Sequence, residues 1–259
     1  MTTTQPDNSP RVALVTGAGK RLGRAIALGL ARAGWDIAVH YRHSHDEARA
    51  LAHEIAALGR RAVILDCDLS DEAAAKQLVP RAVVALDAVH CVVNNASLFD
   101  YDSHFDFGIE RFDAHMHANV AAPVLLAHAL YEATPERGEA VVINLLDQKL
   151  YNLNPDFLSY TLSKAALGAA NTMLAQALAP RVRVVGVAPG ITMVSGDQSE
   201  EGFAKAHKQT PLGRSSTPED IAAAVVYAAG ARAMTGTVLL VDGGQHLVPM
   251  ERDVMFVAK

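Results

Sequence analysis

The sequence predicts an α/β protein: one doubly wound parallel sheet with helices on both faces. Short apolar runs of four to six residues recur between helix-length stretches. A glycine-rich turn separates the first run from the first helix, and polar residues follow the runs directly, where a parallel sheet binds its ligands. The chain has 259 residues, half of them apolar, and so matches the size of a single hydrophobic core. One domain is expected over residues 11–259, after a polar, disordered lead over residues 1–10.

The first unit is a strand at Val12 to Val15, the turn Thr16-Gly17-Ala18-Gly19-Lys20-Arg21-Leu22-Gly23, and a helix from Ala25 to Ala33. Glycines let the backbone approach a phosphate, and the helix N-terminus supplies N–H groups and partial positive charge. Gly17, Lys20, Arg21 and Leu22 are therefore candidate cofactor contacts. The second unit is a strand at Asp36 to Tyr41 and a helix from Ser44 to Leu58. Its strand ends His40-Tyr41-Arg42-His43-Ser44, with no acid to hold free ribose hydroxyls. With Lys20, Arg21 and Arg42 nearby, this end suits a ribose 2′-phosphate, so NADPH is expected rather than NADH.

A strand at Ala62 to Leu65 leads to Asp68 and Leu69, positioned to hold an adenine, and to a helix with Ser70 as its cap. The strand His90 to Val93 ends in Asn94-Asn95-Ala96-Ser97, which puts Asn95 and Ala96 at a carboxyl end. The following loop is rich in aromatics, and Phe99 in it can stack a flat substrate. One helix is expected from Ile109 to Ala133. Pro123 within it cannot donate to the carbonyl of Asn119, and the freed carbonyl can hold a water that relays protons.

The strand Ala140 to Leu145 places Asp147 just past its end, thirteen residues before Tyr160. In Tyr160-Thr161-Leu162-Ser163-Lys164, tyrosine and lysine share a helix face, and a nearby ammonium would lower the phenol pKa and let the pair handle a proton. A strand at Val182 to Val187 leads to Pro189, Gly190 and Ile191, placed to meet the nicotinamide. Residues 195–211 lack a strong period and are expected to form a substrate lid. Thr217-Pro218-Glu219-Asp220 is a helix start, and the strand Thr237 to Val241 closes the sheet.

Composition excludes several roles. The net charge of −5, with no basic stripe, argues against nucleic acid. No apolar run reaches membrane-spanning length and residues 1–10 read as neither signal peptide nor anchor, so a soluble, cytoplasmic protein is expected. The two cysteines, Cys67 and Cys91, lie in apolar runs and suit buried thiols. His115 and His117 fall on different helix faces with no acid or cysteine to complete a set, so no metal is expected.

Taken together, Thr16 to Gly23, Asn94-Asn95-Ala96, Asn119, Tyr160 to Lys164, Pro189-Gly190 and Asp242-Gly243-Gly244 resemble the one-domain short-chain dehydrogenase/reductases. The resemblance implies a Rossmann-type, seven-stranded sheet, a nicotinamide cofactor, Tyr160 as proton donor with Lys164 orienting the ribose and lowering the tyrosine pKa, and a homotetramer whose tail from His246 onward packs on a neighbour. Arg21 replaces a usual glycine and Asp147 the usual serine. Both departures are similar to the pteridine reductases and the dihydromonapterin or dihydrofolate reductases. That branch implies a pterin substrate surrounded by Arg21, Ser97, Phe99, Asp147 and Tyr160. The alternatives are a carbonyl reductase of a 3-oxoacyl thioester, sugar or small ketone, where serine would normally polarise the carbonyl, and a non-catalytic NADPH sensor, which would not need both Tyr160 and Lys164.

Overall fold

The structure, a computed structural model, describes residues 11–194, 199–208 and 210–257. The lead over residues 1–10 and part of the expected lid lie outside the described residues. Seven strands form one all-parallel sheet in the order β3-β2-β1-β4-β5-β6-β7. They are β1 (Val12–Val15), β2 (Asp36–Tyr41), β3 (Ala62–Asp66), β4 (Cys91–Asn94), β5 (Ala140–Leu145), β6 (Val182–Pro189) and β7 (Val238–Val241). The near-continuous apolar runs of β1 and β5 are buried along their whole length, as strands covered on both faces must be.

Alternate residues of β1 to β6 feed two cores. Val15, Val39, Val93 and Ile143 pack under α1 (Arg21–Arg32), α2 (His45–Ala57) and α8 (Pro218–Gly230). Leu14, Val92, Val142 and Val184 pack on the other side under α3 (Glu72–Leu86), α5 (Ala122–Ala133) and α6 (Leu158–Leu178). Strand order reverses between β1 and β4, which opens a crevice at their carboxyl ends.

Three local expectations are corrected. The helix after β3 is capped by Asp71, whose carboxylate accepts the amides of Ala73 and Ala74, while Ser70 donates to Asp68 instead. The single helix expected over residues 109–133 is α4 (Ile109–Met116) and α5, joined by a π turn at His117–Ala121. The expected lid contains a helix, α7 (Glu200–Lys208). The helix start at Thr217 is as read, with a reciprocal capping box between Thr217 and Asp220. No described helix is long and apolar enough to cross a membrane.

Candidate active site

The floor of the crevice is stitched together by the residues just past β1 and β4. The Thr16 hydroxyl accepts the amides of Asn95 (2.9 Å) and Ala96 (3.0 Å), and Asn95 Nδ2 donates back to the Thr16 carbonyl at 2.8 Å. Gly17 takes a left-handed φ of +60°. Gly23 has no room for a side chain, since a Cβ there would lie 2.2 Å from the Gly17 carbonyl oxygen. The turn is thus a tight backbone cradle at the start of α1, the shape and chemistry that a dinucleotide pyrophosphate requires. His40 braces it from below. Its Nδ1 accepts the Gly17 amide at 3.0 Å and its Nε2 lies 3.1 Å from the Cys67 carbonyl, so the ring is neutral with the proton on Nε2. Burial pulls its pKa from 6.5 down to about 4.

A cavity of about 710 Å³ runs over this cradle, lined by all the expected dinucleotide contacts of the first half of the chain: Gly17, Lys20, Arg21, Leu22, His40, Tyr41, Arg42, Ser44, Asp68, Leu69, Asn95 and Ala96. Among the cations at its β2 end, Lys20 is paired with Glu47 at 2.7 Å, whereas Arg42 is exposed and makes no ion pair among the described residues. Sharing Arg21, Leu22, Asn95 and Ser97 with it, a second cavity of about 250 Å³ is lined by Phe99, Asp147, Tyr160, Lys164, Pro189, Gly190 and Ile191. Of the expected site residues only Asn119 stands behind the wall.

Besides the relay expected of its carbonyl, Asn119 has a task for its side chain. At the π turn its side chain accepts from the Leu98 amide (2.8 Å) and the Ser97 hydroxyl (3.1 Å), and donates to the Leu98 carbonyl (3.0 Å) and Ser163 Oγ (2.9 Å). It clasps the loop after β4 to α6. That helix is anchored at its start by Asp102, a buried loop residue that accepts both the amide and the hydroxyl of Ser159. Sequence reasoning missed Asp102, because nothing local marks a cap that reaches 57 residues along the chain. The Phe157 ring before α6 stacks on Phe99, with centroids 4.4 Å apart, and Phe99 meets Tyr160 edge-to-face at 4.6 Å.

At the centre, the Tyr160 hydroxyl donates to Asp147 Oδ2 at 2.7 Å, and the Lys149 amide donates to Asp147 Oδ1 at 2.8 Å. Lys164 lies one helical turn beyond Tyr160 and donates from Nζ to the Leu145 carbonyl at 2.7 Å, with Nζ 5.7 Å from the Tyr160 ring centre. The expected lowering of the phenol pKa by Lys164 is overturned in this geometry. Burial and the adjacent Asp147 push the phenol well above its usual 10, and burial also brings the lysine down to about 8. Burial raises Asp147 above the ordinary carboxylate value as well. Phenol and carboxyl therefore form one proton-retaining pair at the cavity wall.

Arg21 supplies a further departure. It keeps the left-handed backbone, φ +51°, natural to the glycine it replaces, while its Nη2 donates to the Val194 carbonyl at 2.7 Å. Such a conformation costs a residue with a Cβ about 1 kcal/mol or more. The tail also contributes to the site within its own chain. Its described part folds back on its own chain, and Asp253, Val254 and Met255 line the smaller cavity with Gln245. Histidines expected not to bind metal have structural partners: His115 is buried, with Nδ1 on the Arg111 carbonyl and Nε2 accepting the Asp100 amide.

A seven-stranded parallel sheet, a glycine cradle at the strand-order switch and a tyrosine–lysine pair at the adjoining strand ends define a nicotinamide-dependent oxidoreductase. The chain belongs to the short-chain dehydrogenase/reductase family: a family model described as enoyl-(acyl carrier protein) reductase matches residues 17–246. It is similar to FolM alternative dihydrofolate reductase 1 from Brucella canis, solved with NADP (38% identity, 94% of this chain and 96% of that one, TM-score 0.89). The Brucella suis protein of the same name, also solved with NADP, is 39% identical over 95% of this chain and 98% of that one, with TM-score 0.89. An L-rhamnose 1-dehydrogenase (NAD(P)(+)) from Sphingomonas sp. strain SKA58 is 30% identical, covering 92% of this chain and 96% of its own.

Proposed function

We propose that this chain is an NADPH-dependent reductase of a pterin or dihydropterin ring of the dihydrobiopterin, dihydromonapterin or dihydrofolate type. The observation that carries the reading is the Tyr160–Asp147 hydrogen bond at a cavity wall where both groups hold protons more tightly than usual. A serine hydroxyl suits a carbonyl, but a carboxyl can protonate or hydrogen-bond a ring nitrogen or an exocyclic amine. Resemblance to two dihydrofolate reductases solved with NADP supports the same substrate class.

In this reading the turn Thr16 to Gly23 and the amides opening α1 hold the pyrophosphate. Arg42, Ser44 and Tyr41 receive the 2′-phosphate end, Asp68 and Leu69 the adenine, and Asn95, Ala96, Pro189, Gly190 and Ile191 the nicotinamide half. NADPH, when bound, supplies a hydride to a C=N or C=C bond of the substrate ring. Tyr160 and Asp147 deliver the proton, Lys164 orients the ribose, and Asn119 keeps loop and helix in register. Phe99, Ser97 and Arg21 hold the flat ring against the nicotinamide. A homotetramer is included in this reading.

A steady-state panel of the three dihydropterins and simple ketones, each with NADPH and NADH, tests the reading. Pterin turnover with NADPH is expected. It should fall at least about a hundredfold in Tyr160→Phe, within the usual range for loss of a general acid, and Asp147→Ser should exchange pterin activity for ketone activity. Reduction of ketones with no pterin turnover, or undiminished pterin turnover in Asp147→Ala, sinks it. The L-rhamnose dehydrogenase relative favours a second reading, a sugar or carbonyl reductase. Asp147 in the serine position is the observation against it.

A further inference from the structure

The smaller cavity has a wall that the mechanism above does not use. Lys149, two residues past Asp147, is 4% exposed, an environment in which an unpaired ammonium is costly. Its Nζ donates to the Asp156 carbonyl at 2.6 Å and pairs with Asp253 Oδ2 at 3.0 Å, and it lies 5.2 Å from the Phe157 ring centre. Asp253 comes from the tail, 104 residues away in sequence. Its Oδ1 accepts the Met255 amide, and its own amide donates to Asp156 Oδ2 at 2.7 Å. Arg252 beside it grips the same Asp156 carboxylate through Nε and Nη2. Two ion pairs thus strap the tail across the turn that carries Asp147, and Asp253 itself reaches the cavity.

We propose that Asp253 is a positioning residue for the Asp147–Tyr160 pair: by clamping the buried Lys149 ammonium, it fixes the Lys149 amide that holds Asp147 in line with the phenol. The chain of contacts is continuous, running from Asp253 Oδ2 to Lys149 Nζ, from the Lys149 amide to Asp147 Oδ1, and from Asp147 Oδ2 to the Tyr160 hydroxyl. A backbone amide held this way aims one carboxyl oxygen and leaves the other for the phenol. The charged and titratable groups facing Asp147 are Tyr160 and Lys164 from α6, Lys149 from its own turn, Asp253 from the tail and Arg21 from the start of α1. Asp253 is the negative charge among these neighbours, and it favours keeping the pair's protons. Its loss both loosens the carboxyl and weakens that hold, and the two effects have the same sign.

The inference rests on the reading that Asp147 and Tyr160 handle the proton, so its test has one arm that needs no turnover. Ultraviolet titration of the phenol, taken as wild type minus Tyr160→Phe, is compared with the same difference in an Asp253→Asn background. The Tyr160 midpoint is expected to fall by about half a pH unit or more, the size of a modest change in a neighbouring charge. An unchanged midpoint overturns the proposal even if no pterin is turned over, whereas absent turnover with a shifted midpoint sinks only the substrate assignment. In the kinetic arm, Asp253→Asn and Lys149→Met each lower kcat/KM about tenfold, chiefly through kcat, and the double variant is no worse than the poorer single, because both break one linkage. Asp253→Glu should recover the wild-type pH profile. Losses that multiply in the double variant, or appear only in KM, overturn the proposal.

Discussion

His40 makes the cofactor turn a pH-sensitive structure, and the size of the effect can be worked out. Its two ring nitrogens hold opposite roles, an acceptor for the Gly17 amide and a donor to the Cys67 carbonyl, which only the neutral ring can fill. Burial lowers its pKa from 6.5 to about 4. The folded state thus binds fewer protons than the unfolded chain between those values, and its stabilising contribution is present above pH 6.5 and lost as pH falls towards 4. The full loss is about 3 kcal/mol at 1.36 kcal/mol per pH unit, of which about 2 kcal/mol is gone by pH 5. Urea unfolding at pH 7 and pH 5 reads this directly. His40→Asn retains an acceptor for the Gly17 amide but does not titrate. It should be less stable at pH 7 by about 1–3 kcal/mol, for the unpaired Cys67 carbonyl, and should lose about 2 kcal/mol less than wild type between the two pH values. NADPH affinity of the wild type should weaken over the same interval. Equal losses of stability in wild type and variant would refute the reasoning.

Two further perturbations probe the site's frame. Arg21→Gly removes a side chain from a left-handed backbone that glycine prefers, so urea unfolding should show stability held or raised by up to about 1 kcal/mol, while kcat/KM for the proposed pterin substrate falls at least about tenfold, the worth of one charge-assisted contact. A stability loss with activity intact would contradict both assignments. Asn119→Ala leaves the Leu98 amide without its acceptor and takes one of two partners from the Leu98 carbonyl and the Ser163 hydroxyl, and should cost about 2 kcal/mol in the same assay. A loss under about 1 kcal/mol would show that the clasp is not needed.

The parts of the fold legible in the sequence are those dictated by local pattern. β2 and β5 could be bounded to the residue, because Asp36–Tyr41 and Ala140–Leu145 are apolar runs flanked by polar or helix-forming segments. The capping box at Thr217 is equally local. The π turn at His117–Ala121 was not legible: Pro123 signals that the helical ladder breaks, but the direction of the repair depends on Asn119 finding Leu98 and Ser163, 21 and 44 residues away. For the same reason Asp102 and Asp253 escaped notice, since each takes its meaning from a partner in another part of the chain. α7 escaped for a different reason: it is nine residues long, with Phe203 as its one large apolar side chain, and so gives little to separate it from a loop. The candidate site was better read than its supports, since groups that bind at strand ends are announced by the strands, whereas the residues that aim them are chosen by packing.

Asp147 shows why the aim matters chemically. Both of its oxygens accept a hydrogen bond, one from the Lys149 amide and one from the Tyr160 hydroxyl. An ionised Asp147 in that position takes the phenol's hydrogen for itself and can only accept from a substrate N–H. A protonated Asp147 can present its own O–H to a ring nitrogen, or pass the proton on while drawing a replacement from the phenol. Burial raises both proton affinities, and this makes the second state accessible at higher pH than an exposed aspartic acid would allow. A serine in the same place would offer one hydrogen at any pH and no second charge state. Replacing serine by aspartate therefore changes more than the size of the wall: it turns a fixed hydrogen-bond donor into a group whose donor or acceptor character follows its proton. That property suits a heterocycle presenting both bare ring nitrogens and N–H groups along one edge.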